Sequence, residues 1–146
     1  MTRRLPALID ILIRLAEDTT PALIASSQFG GGLMVDPHNE RLARVLKLLH
    51  DSYVEPVNIA ALAASAALSV GAFQRFFHRQ MRRTVTGYIA ELRIGRACQQ
   101  LIETDKPISL IAAEVGYANL AHFNRQFRAI RASTPSAFRA LYRPRA

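Results

Sequence analysis

Apolar residues recur at the spacing of amphipathic helices along most of the chain, and no segment alternates in the manner of a strand. Prolines, glycines and helix-capping side chains divide this pattern into separate segments. The sequence therefore predicts an all-α protein. Its helices are expected at residues 3–16, 21–26, 37–53, 59–67, 70–81, 85–103, 108–115, 120–130 and 135–142.

Three consecutive glycines, Gly30 to Gly32, interrupt the helices near the start of the chain. They lack the spacing of a dinucleotide-binding motif and the Lys and Ser or Thr of a P-loop, so a plain linker is expected. We divide the chain into a short helical linker segment, residues 1–36, and one larger domain, residues 37–142. A chain of 146 residues is long enough for one domain with its own core.

The larger domain contains an internal repeat with an offset of fifty residues. Each copy has a capping residue, then Phe-x-Arg-x-Phe, then a threonine cap followed by an aromatic residue. The matched pairs are Ser69 and Asn119, Phe73 and Phe123, Arg75 and Arg125, Phe77 and Phe127, Thr84 and Thr134, and Tyr88 and Phe138. A short helix, a tight turn and a second capped helix outline a helix-turn-helix, at about residues 59–81 and again at about 108–130.

The second helix of each copy has two faces with different chemistry. Its phenylalanines, at positions i and i+4, form a stripe that we expect to be buried. Arg75 and Arg125 lie about 200° around the helix from these rings, so they are expected to face outward, beside Gln74 and Asn124. Arg can bond bidentately to guanine, and Gln or Asn to adenine, in the DNA major groove. The repeat therefore predicts two helices that recognise bases.

The charge of the chain favours a polyanionic partner. Lys and Arg number 19 against 11 Asp and Glu, a formal net charge of +8. Residues 1–40 carry a net charge of −2, so the rest of the chain carries +10. Of the basic residues 17 are Arg, whose planar guanidinium binds phosphate and guanine through paired donors. Charge alone does not separate DNA from RNA or from an anionic membrane.

The sequence offers little for catalysis or metal binding. Its histidines lie on different predicted elements, without a metal-binding or nucleophile motif. The single cysteine, Cys98, excludes an internal disulfide and a cysteine-rich zinc site, and it indicates a reducing compartment. No apolar run reaches the roughly 20 residues of a membrane span. We expect no enzyme activity, cofactor, metal or membrane partner, and a cytoplasmic location.

The predicted helix between the two copies has a length that suits DNA. Residues 85–103 would span about 28 Å at about 1.5 Å per residue. Successive major grooves on one side of B-DNA lie about 34 Å apart. A stiff connection of this size could hold two recognition helices about one duplex turn apart.

These residues resemble the DNA-binding domain of the AraC/XylS family of bacterial transcription regulators. The resemblance runs from about Arg41 to Arg139. Its most specific parts are residues 93–97, 103–108, 112–117, 123–128 and 134–139. It implies two helix-turn-helix subdomains joined by a long connecting helix, a duplicated homeodomain-like bundle whose recognition helices enter the major groove of promoter DNA. It also implies RNA polymerase as a partner, activation rather than repression, and a place in the bacterial nucleoid.

Carried over by position, the resemblance assigns a role to individual residues. The base-facing residues would be Gly71, Gln74 and Arg75 in the first copy and Leu120, Ala121, Asn124 and Arg125 in the second. Of these, Leu120 and Ala121 can offer only apolar contact, for example to a thymine methyl group. The candidates for phosphate contact are Ser69, Arg79, Arg82, Arg83, Arg93, Arg96, Asn119 and Arg128. A solvated helix face is an equal alternative for Arg93 and Arg96.

The chain departs from the family pattern at a few turn positions. Ala67, Arg82 and Ala132 stand where the family favours glycine, and Arg131 replaces a usual aromatic residue. If the three backbones require a positive φ, each non-glycine residue costs about 1–2 kcal/mol. These departures bear on the stability of the domain more than on its identity.

The first forty residues are too few, and too helical, for the sensor domain that family members commonly carry. They resemble the helical pair that joins sensor to DNA-binding domain. The apolar face of residues 5–15 could pack on the domain or pair with a second chain, and the sequence leaves both open. Two alternatives to the regulator remain: a basic helical interaction module without enzymatic activity, and a decayed regulator fragment with no regulatory role.

Overall fold

The computed structural model describes residues 37–143, and this part of the chain consists of helices and connections without a strand. We number its helices in chain order. They are α1 (Pro37–Asp51), α2 (Ile59–Ser65), α3 (Val70–Met81), α4 (Val85–Glu103), α5 (Ile108–Glu114), α6 (Leu120–Arg131) and α7 (Pro135–Tyr142). The all-α prediction is confirmed. The predicted helices at 3–16 and 21–26 and the glycine linker lie outside the described residues.

Side-chain caps explain why most of these helices begin where they do. The capping residue accepts a hydrogen bond from the backbone N–H three positions on, and so satisfies one of the donors that a helix start leaves unpaired. The caps with this bond are Asn58, Ser69, Thr84, Asn119 and Thr134. Helix α5 begins differently, after Pro107, without a side-chain cap.

Two hydrophobic cores lie along the connecting helix α4, which contributes to both. The first core is built from α1, α2 and α3, together with Val85 and Ile89 of α4. The second core is built from α5, α6 and α7 and includes Ile94 and Leu101 from the later part of α4. Each helix-turn-helix unit therefore has its own core. One partly buried residue, Tyr53, packs against both cores.

The helix bounds make the internal repeat visible in the structure. Helices α5 and α2 are related by an offset of 49 residues, whereas α6 and α3, and the starts of α7 and α4, are related by 50. The second turn is thus one residue longer than the first. Both turns close in the same way, with Leu68 N–H bonded to Ala63 O and Tyr117 N–H to Ala112 O.

The three positions where glycine is expected do have a left-handed backbone. Ala67, Arg82 and Ala132 have φ values of 53°, 56° and 53°, and they are the non-glycine residues with positive φ in the described range. A side chain in this conformation costs about 1–2 kcal/mol per residue. The left-handed backbone at Ala67 also explains why α2 ends at Ser65, two residues before the predicted end.

Candidate nucleic-acid interface

The two recognition helices, α3 and α6, are built by the same local chemistry. Ser69 Oγ accepts from the Ala72 backbone N–H at 3.3 Å, and Asn119 Oδ1 accepts from the His122 N–H at 3.1 Å. Each cap has an extended backbone, so the chain turns sharply into the helix. Their side-chain oxygens accept bonds from the helix start, whereas the Ser69 hydroxyl proton, the Asn119 side-chain amide and the neighbouring backbone N–H groups are the donors that a phosphate could meet.

The buried face of each recognition helix fixes the direction of the opposite face. Phe73 and Phe77 of α3, and Phe123 and Phe127 of α6, are completely buried. The ring centroids lie 6.0 Å apart in the first pair and 5.7 Å apart in the second. The fully buried rings anchor each helix to its own core, at about 1.5–3 kcal/mol for each ring.

The side chains expected to face bases lie on the exposed side of these helices. The exposed residues are Gly71, Gln74 and Arg75 on α3 and Leu120, Ala121, Asn124 and Arg125 on α6. A Cβ atom at Gly71 would stand 3.5 Å from Arg75 Nη1, so the Arg75 side chain reaches back towards the start of α3. The two recognition helices therefore present an amide and a guanidinium side by side, and neither helix is buried.

Each recognition helix also borders an open groove on the side of the following helix. The first groove, of about 660 Å³, is lined by Ile59, Gln74, Arg75, His78, Arg79, Arg82, Thr84, Val85 and Thr86. The second, of about 620 Å³, is lined by Asn124, Arg125, Arg128, Ala129, Thr134, Pro135 and Ser136. Every residue that lines the second groove stands fifty positions after one that lines the first. The repeat therefore carries over to the shape of the exposed surface.

Val70 is a candidate base-facing residue that the sequence interpretation did not identify. It is the first residue of α3 and matches Leu120, the first residue of α6, at the offset of fifty. Both side chains are 43% exposed. An exposed aliphatic side chain beside the amide and guanidinium groups could contact a thymine methyl group. The repeat offset, applied to Leu120, was the signal in the sequence that could have identified Val70.

The basic candidates for phosphate contact fall into different environments. Arg79 and Arg82 of the first unit and Arg128 of the second are exposed and line the grooves.

Two further candidates already have partners within the fold. The Arg83 side chain forms an ion pair with Glu91 and donates to Met81 O at 3.3 Å. A phosphate contact by Arg83 would require that ion pair to open. Arg96 is partly buried and donates to Gln99 Oε1 at 3.5 Å.

Arg93 has a different position from the one expected of a phosphate contact. Its Nε donates to Tyr53 O at 2.6 Å, and Nη1 donates to Gly116 O at 3.0 Å. Its Nη2 donates to Glu55 O at 2.8 Å and to Val54 O at 3.4 Å. Backbone carbonyls therefore occupy most of the five N–H donors of the guanidinium. The Arg93 guanidinium therefore holds parts of the fold together, and its bonds leave little of it for the expected phosphate contact.

Arg93 and the five residues that contact its guanidinium form what we call the Arg93 junction; the five are Tyr53, Val54, Glu55, Gly116 and Tyr117. The guanidinium carbon lies 5.6 Å from the centre of the Tyr117 ring, in a cation–π contact. Burial raises the pKa of the Tyr117 hydroxyl, and the positive charge of Arg93 opposes this rise.

His38, His50 and Cys98 lie in separate places and contact other parts of the fold, whereas His78 and His122 are exposed on the recognition helices. His38 stacks on Phe76 with ring centroids 6.1 Å apart, and His50 Nε2 lies 2.8 Å from the Tyr88 hydroxyl. Cys98 is buried, and burial raises the pKa of its thiol. Within residues 37–143, no group of three or more His, Cys, Asp or Glu side chains could hold a metal ion.

In the same range, no single helix has both the length and the hydropathy of a membrane span. Helices α2 and α3, taken as one segment, are long and apolar enough for a membrane span, but the angle between them is 80°.

Two helix-turn-helix units, joined by a helix and exposing paired amide and guanidinium groups, define a class of DNA-binding protein. The family model of the helix-turn-helix domain matches residues 62–141, more than half of the chain. The chain belongs to the AraC-type helix-turn-helix family of transcription regulators. The start of the larger domain at residue 37, outside this match, stays a prediction.

Particular relatives agree with this assignment. The regulatory protein SoxS of Salmonella typhimurium is 29% identical over 102 residues, which cover 70% of this chain and 95% of SoxS. A transcriptional regulator of Chromobacterium violaceum with an AraC-type DNA-binding domain has a similar structure, with a TM-score of 0.67 and 26% identity over 74% of this chain and 96% of that one. The DNA-binding domain of the transcriptional factor AdpA, solved in complex with a target DNA, has a TM-score of 0.62 and 28% identity, over 76% of this chain and 99% of that chain.

Proposed function

We propose that this chain regulates transcription by binding double-stranded promoter DNA at two half-sites, with α3 and α6 in successive major grooves. The observation that carries the proposal is the repeated groove, because each residue lining the second groove has a counterpart lining the first. Two similar surfaces on one chain, joined by a helix about 28 Å long, suit two neighbouring sites on one duplex.

The side chains at the two surfaces suggest distinct roles. We propose that Arg75 and Arg125 bond to guanine O6 and N7, and that Gln74 and Asn124 bond to adenine N6 and N7. Leu120 and Ala121 would supply apolar contacts, and the open backbone at Gly71 would allow close approach of a base. Apart from the two arginines, the matched positions carry different residues in the two units, so the preferred DNA sequence should be asymmetric.

Sequence-independent affinity would come from the phosphates. We propose that the exposed guanidinium groups of Arg79, Arg82 and Arg128 contact them, together with the N–H groups next to the caps Ser69 and Asn119. Arg83 and Arg96 stay candidates that would first have to exchange their present partners. Each phosphate neutralised should make the slope of log affinity against log salt concentration more negative by about 0.9.

The direct test is selection of bound sequences from a random duplex library with the full chain. The expected result is an asymmetric motif with two half-sites, bound about 10³-fold or more tightly than a scrambled duplex at physiological salt. A chain that binds every duplex alike would contradict the proposal. The Arg75→Ala/Arg125→Ala double variant is the matched control, and it should lose the preference while it keeps binding to scrambled DNA.

The same chain should be titrated against vesicles containing anionic lipid, to test the alternative of a basic interaction module. Salt-dependent binding to the vesicles, without preference for any duplex, would favour that module. We expect the reverse, because lipid binding gives no reason for an amide and a guanidinium to recur at an offset of fifty residues.

We further propose that the chain is a non-enzymatic activator that contacts RNA polymerase in the bacterial nucleoid, a role supported by its membership of the AraC-type family. Run-off transcription from a template with the selected site tests this role. Added chain should raise the yield of transcript, whereas a lower yield would show repression. No change, despite tight binding, would favour the decayed regulator.

Pairing of two chains through residues 5–15 is a separate proposal, since that segment lies outside the described residues. Sedimentation of the full chain and of its Leu8→Glu/Leu12→Glu variant tests it. A dimer that the double substitution dissociates would support pairing, and a monomer at micromolar concentration would contradict it.

A further inference from the structure

The Arg93 junction lies at the boundary between the two cores. On helix α4, Ile89 packs in the first core and Ile94 packs in the second, so Arg93 stands between them. The loop after α1, which supplies Tyr53, Val54 and Glu55, comes from the first unit, and Gly116 comes from the turn of the second. The guanidinium thus connects the two helix-turn-helix units directly, in addition to the continuous backbone of α4.

The chemistry of this connection requires arginine. The carbonyl oxygens of Tyr53, Glu55 and Gly116 lie 2.6, 2.8 and 3.0 Å from three different nitrogens of one planar group. A lysine has a single nitrogen, which could not donate to all of these carbonyls from one position. The bonds to Tyr53 O and Gly116 O are partly buried, and leaving these two acceptors without a donor would be costly.

The second half of the junction is the close approach of the loop to Gly116. This residue has a φ of +93°, and a Cβ atom there would stand 2.5 Å from Val54 O and 3.0 Å from the guanidinium carbon of Arg93. The equivalent position in the first turn is Ala67, which accommodates a Cβ atom. The requirement for glycine is therefore specific to the turn that meets the loop.

We infer that the Arg93 junction fixes the separation and rotation of the two recognition helices, and that Arg93 is a positioning residue for recognition of a two-part DNA site. This inference rests on the proposed function. Once one half-site is bound, the second binding event is intramolecular, and it adds affinity only if the geometry matches. One extra base pair rotates the second half-site by about 35° around the duplex, so a fixed geometry makes binding sensitive to spacing.

The test compares spacing profiles of the full chain and of variants on both sides of the junction. The variants are Arg93→Lys, Arg93→Ala and Gly116→Ala, and the comparison variant Arg96→Ala removes a charge from the same helix, three residues on. The duplexes carry the selected two-part site, the same site with one or two base pairs inserted between its halves, or a site with one half scrambled. Affinity is measured by fluorescence anisotropy at several salt concentrations.

The wild-type chain should lose about 10- to 100-fold in affinity when base pairs are inserted, because the second contact is lost. Arg93→Lys and Gly116→Ala should bind the selected site about 10-fold more weakly, yet lose only about 3-fold or less on insertion. Their affinity for a duplex with one intact half should stay within about 2-fold of wild type. Arg96→Ala should keep the wild-type sensitivity to spacing.

Two results would overturn the inference. In the first, Arg93→Lys behaves like wild type, and Arg93→Ala weakens binding to all duplexes and makes the dependence of log affinity on log salt less steep by about 1. Arg93 would then be a phosphate contact. If all junction variants keep the full penalty on insertion, helix α4 alone sets the geometry.

A measurement without DNA separates failure of this inference from failure of the proposed function. Spin labels at the exposed positions Gln80→Cys on α3 and Ala129→Cys on α6 report the distance between the recognition helices, with the buried Cys98 left in place. We expect a narrow distance distribution in the wild-type background and a distribution at least about twofold broader with Arg93→Lys. Equal widths would contradict the inference even if the wild-type chain proved to bind no preferred duplex.

Discussion

The two helix-turn-helix units share one scaffold but differ in their turns. In the first unit the left-handed position is Ala67, with a φ of 53°, and in the second it is Gly116, with a φ of 93°. Both turns close with the same pair of backbone hydrogen bonds. The scaffold therefore tolerates a strained alanine at the exposed position 67, and it keeps glycine at position 116, where the loop after α1 packs against the turn.

The units also differ on the surfaces that we propose contact DNA. The first groove is bordered by His78, Arg79 and Arg82, whereas the residues fifty positions on are Arg128, Ala129 and Ala132. The first unit thus has more basic groups beside its recognition helix. The buried phenylalanine pairs and the threonine caps are the same in the two copies, while the exposed residues beside the recognition helices have diverged. A duplicated scaffold with different exposed residues can recognise an asymmetric site.

The largest effect is expected from the buried rings, where the units should behave alike. Phe77→Ala and Phe127→Ala should each lower the free energy of unfolding by about 3–5 kcal/mol, because each removes a fully buried ring and leaves a cavity. Chemical denaturation followed by circular dichroism measures this loss. A single transition is expected in each variant, since α4 and Tyr53 belong to both cores. Two separate transitions would show that the units unfold independently.

The next effect should distinguish the units. Arg75→Ala and Arg125→Ala should each relax the base preference at one half of the site, at a cost of about 1–3 kcal/mol for the preferred base pair. Competition binding against duplexes with single base-pair changes locates the loss. Arg79→Ala, on the same face of α3, is the matched control and should weaken all duplexes equally. If Arg75→Ala and Arg125→Ala also weaken every duplex equally, both belong to the phosphate contacts.

A smaller effect concerns the strained turn of the first unit. Ala67→Gly should raise the free energy of unfolding by about 1 kcal/mol, because relief of the left-handed strain exceeds the entropy that glycine adds to the unfolded chain. Thermal or urea denaturation provides the measurement. Ala64→Gly, an exposed position within helix α2, should instead destabilise by about 0.5–1 kcal/mol. Equal destabilisation by both substitutions would show that Ala67 is not strained.

The smallest expected effect is on the pH dependence of stability in the first unit. Burial lowers the pKa of His50, the charge of Arg96 lowers it further, and Asp51 opposes both. The His50 side chain therefore takes up a proton more readily in the unfolded chain than in the folded one. The stability that comes from keeping His50 neutral is fully present above about pH 6.5, and it is lost as the pH falls from there towards the lowered pKa.

His50→Gln removes the titrating group, so its free energy of unfolding should fall less between pH 7.5 and pH 5 than that of the wild-type chain. Urea denaturation at the two pH values measures the difference. The loss of the hydrogen bond to Tyr88 should lower stability at both. An unchanged pH dependence in the variant would contradict the prediction.

The parts of this fold that depend on local chemistry could be predicted from the sequence. The caps Ser69, Thr84, Asn119 and Thr134 act within three residues, so the starts of their helices follow from the sequence directly. The outward direction of Arg75 and Arg125 follows from their angle to the phenylalanine stripe, which is also a local quantity. The offset of fifty residues then relates one unit to the other.

The parts that depend on distant partners could not be predicted. Arg93 bonds to carbonyls some forty residues earlier in the chain, and an arginine on a helix of a basic domain has the same local pattern whether it meets solvent, phosphate or a loop. The one-residue extension of the second turn does not show in the sequence repeat, because the matched caps and aromatic residues all lie after it. Val70 was missed because an apolar residue in an amphipathic helix is usually assigned to the core.

The most direct test of two recognition helices in successive major grooves is methylation interference at guanine N7, an atom of the major groove. The full chain is bound to the selected duplex, and the guanines whose methylation prevents binding are mapped. We predict two clusters, centred about 10–10.5 base pairs apart, with one cluster lost in Arg75→Ala and the other in Arg125→Ala. A single cluster, or loss of the same cluster in both variants, would contradict the account.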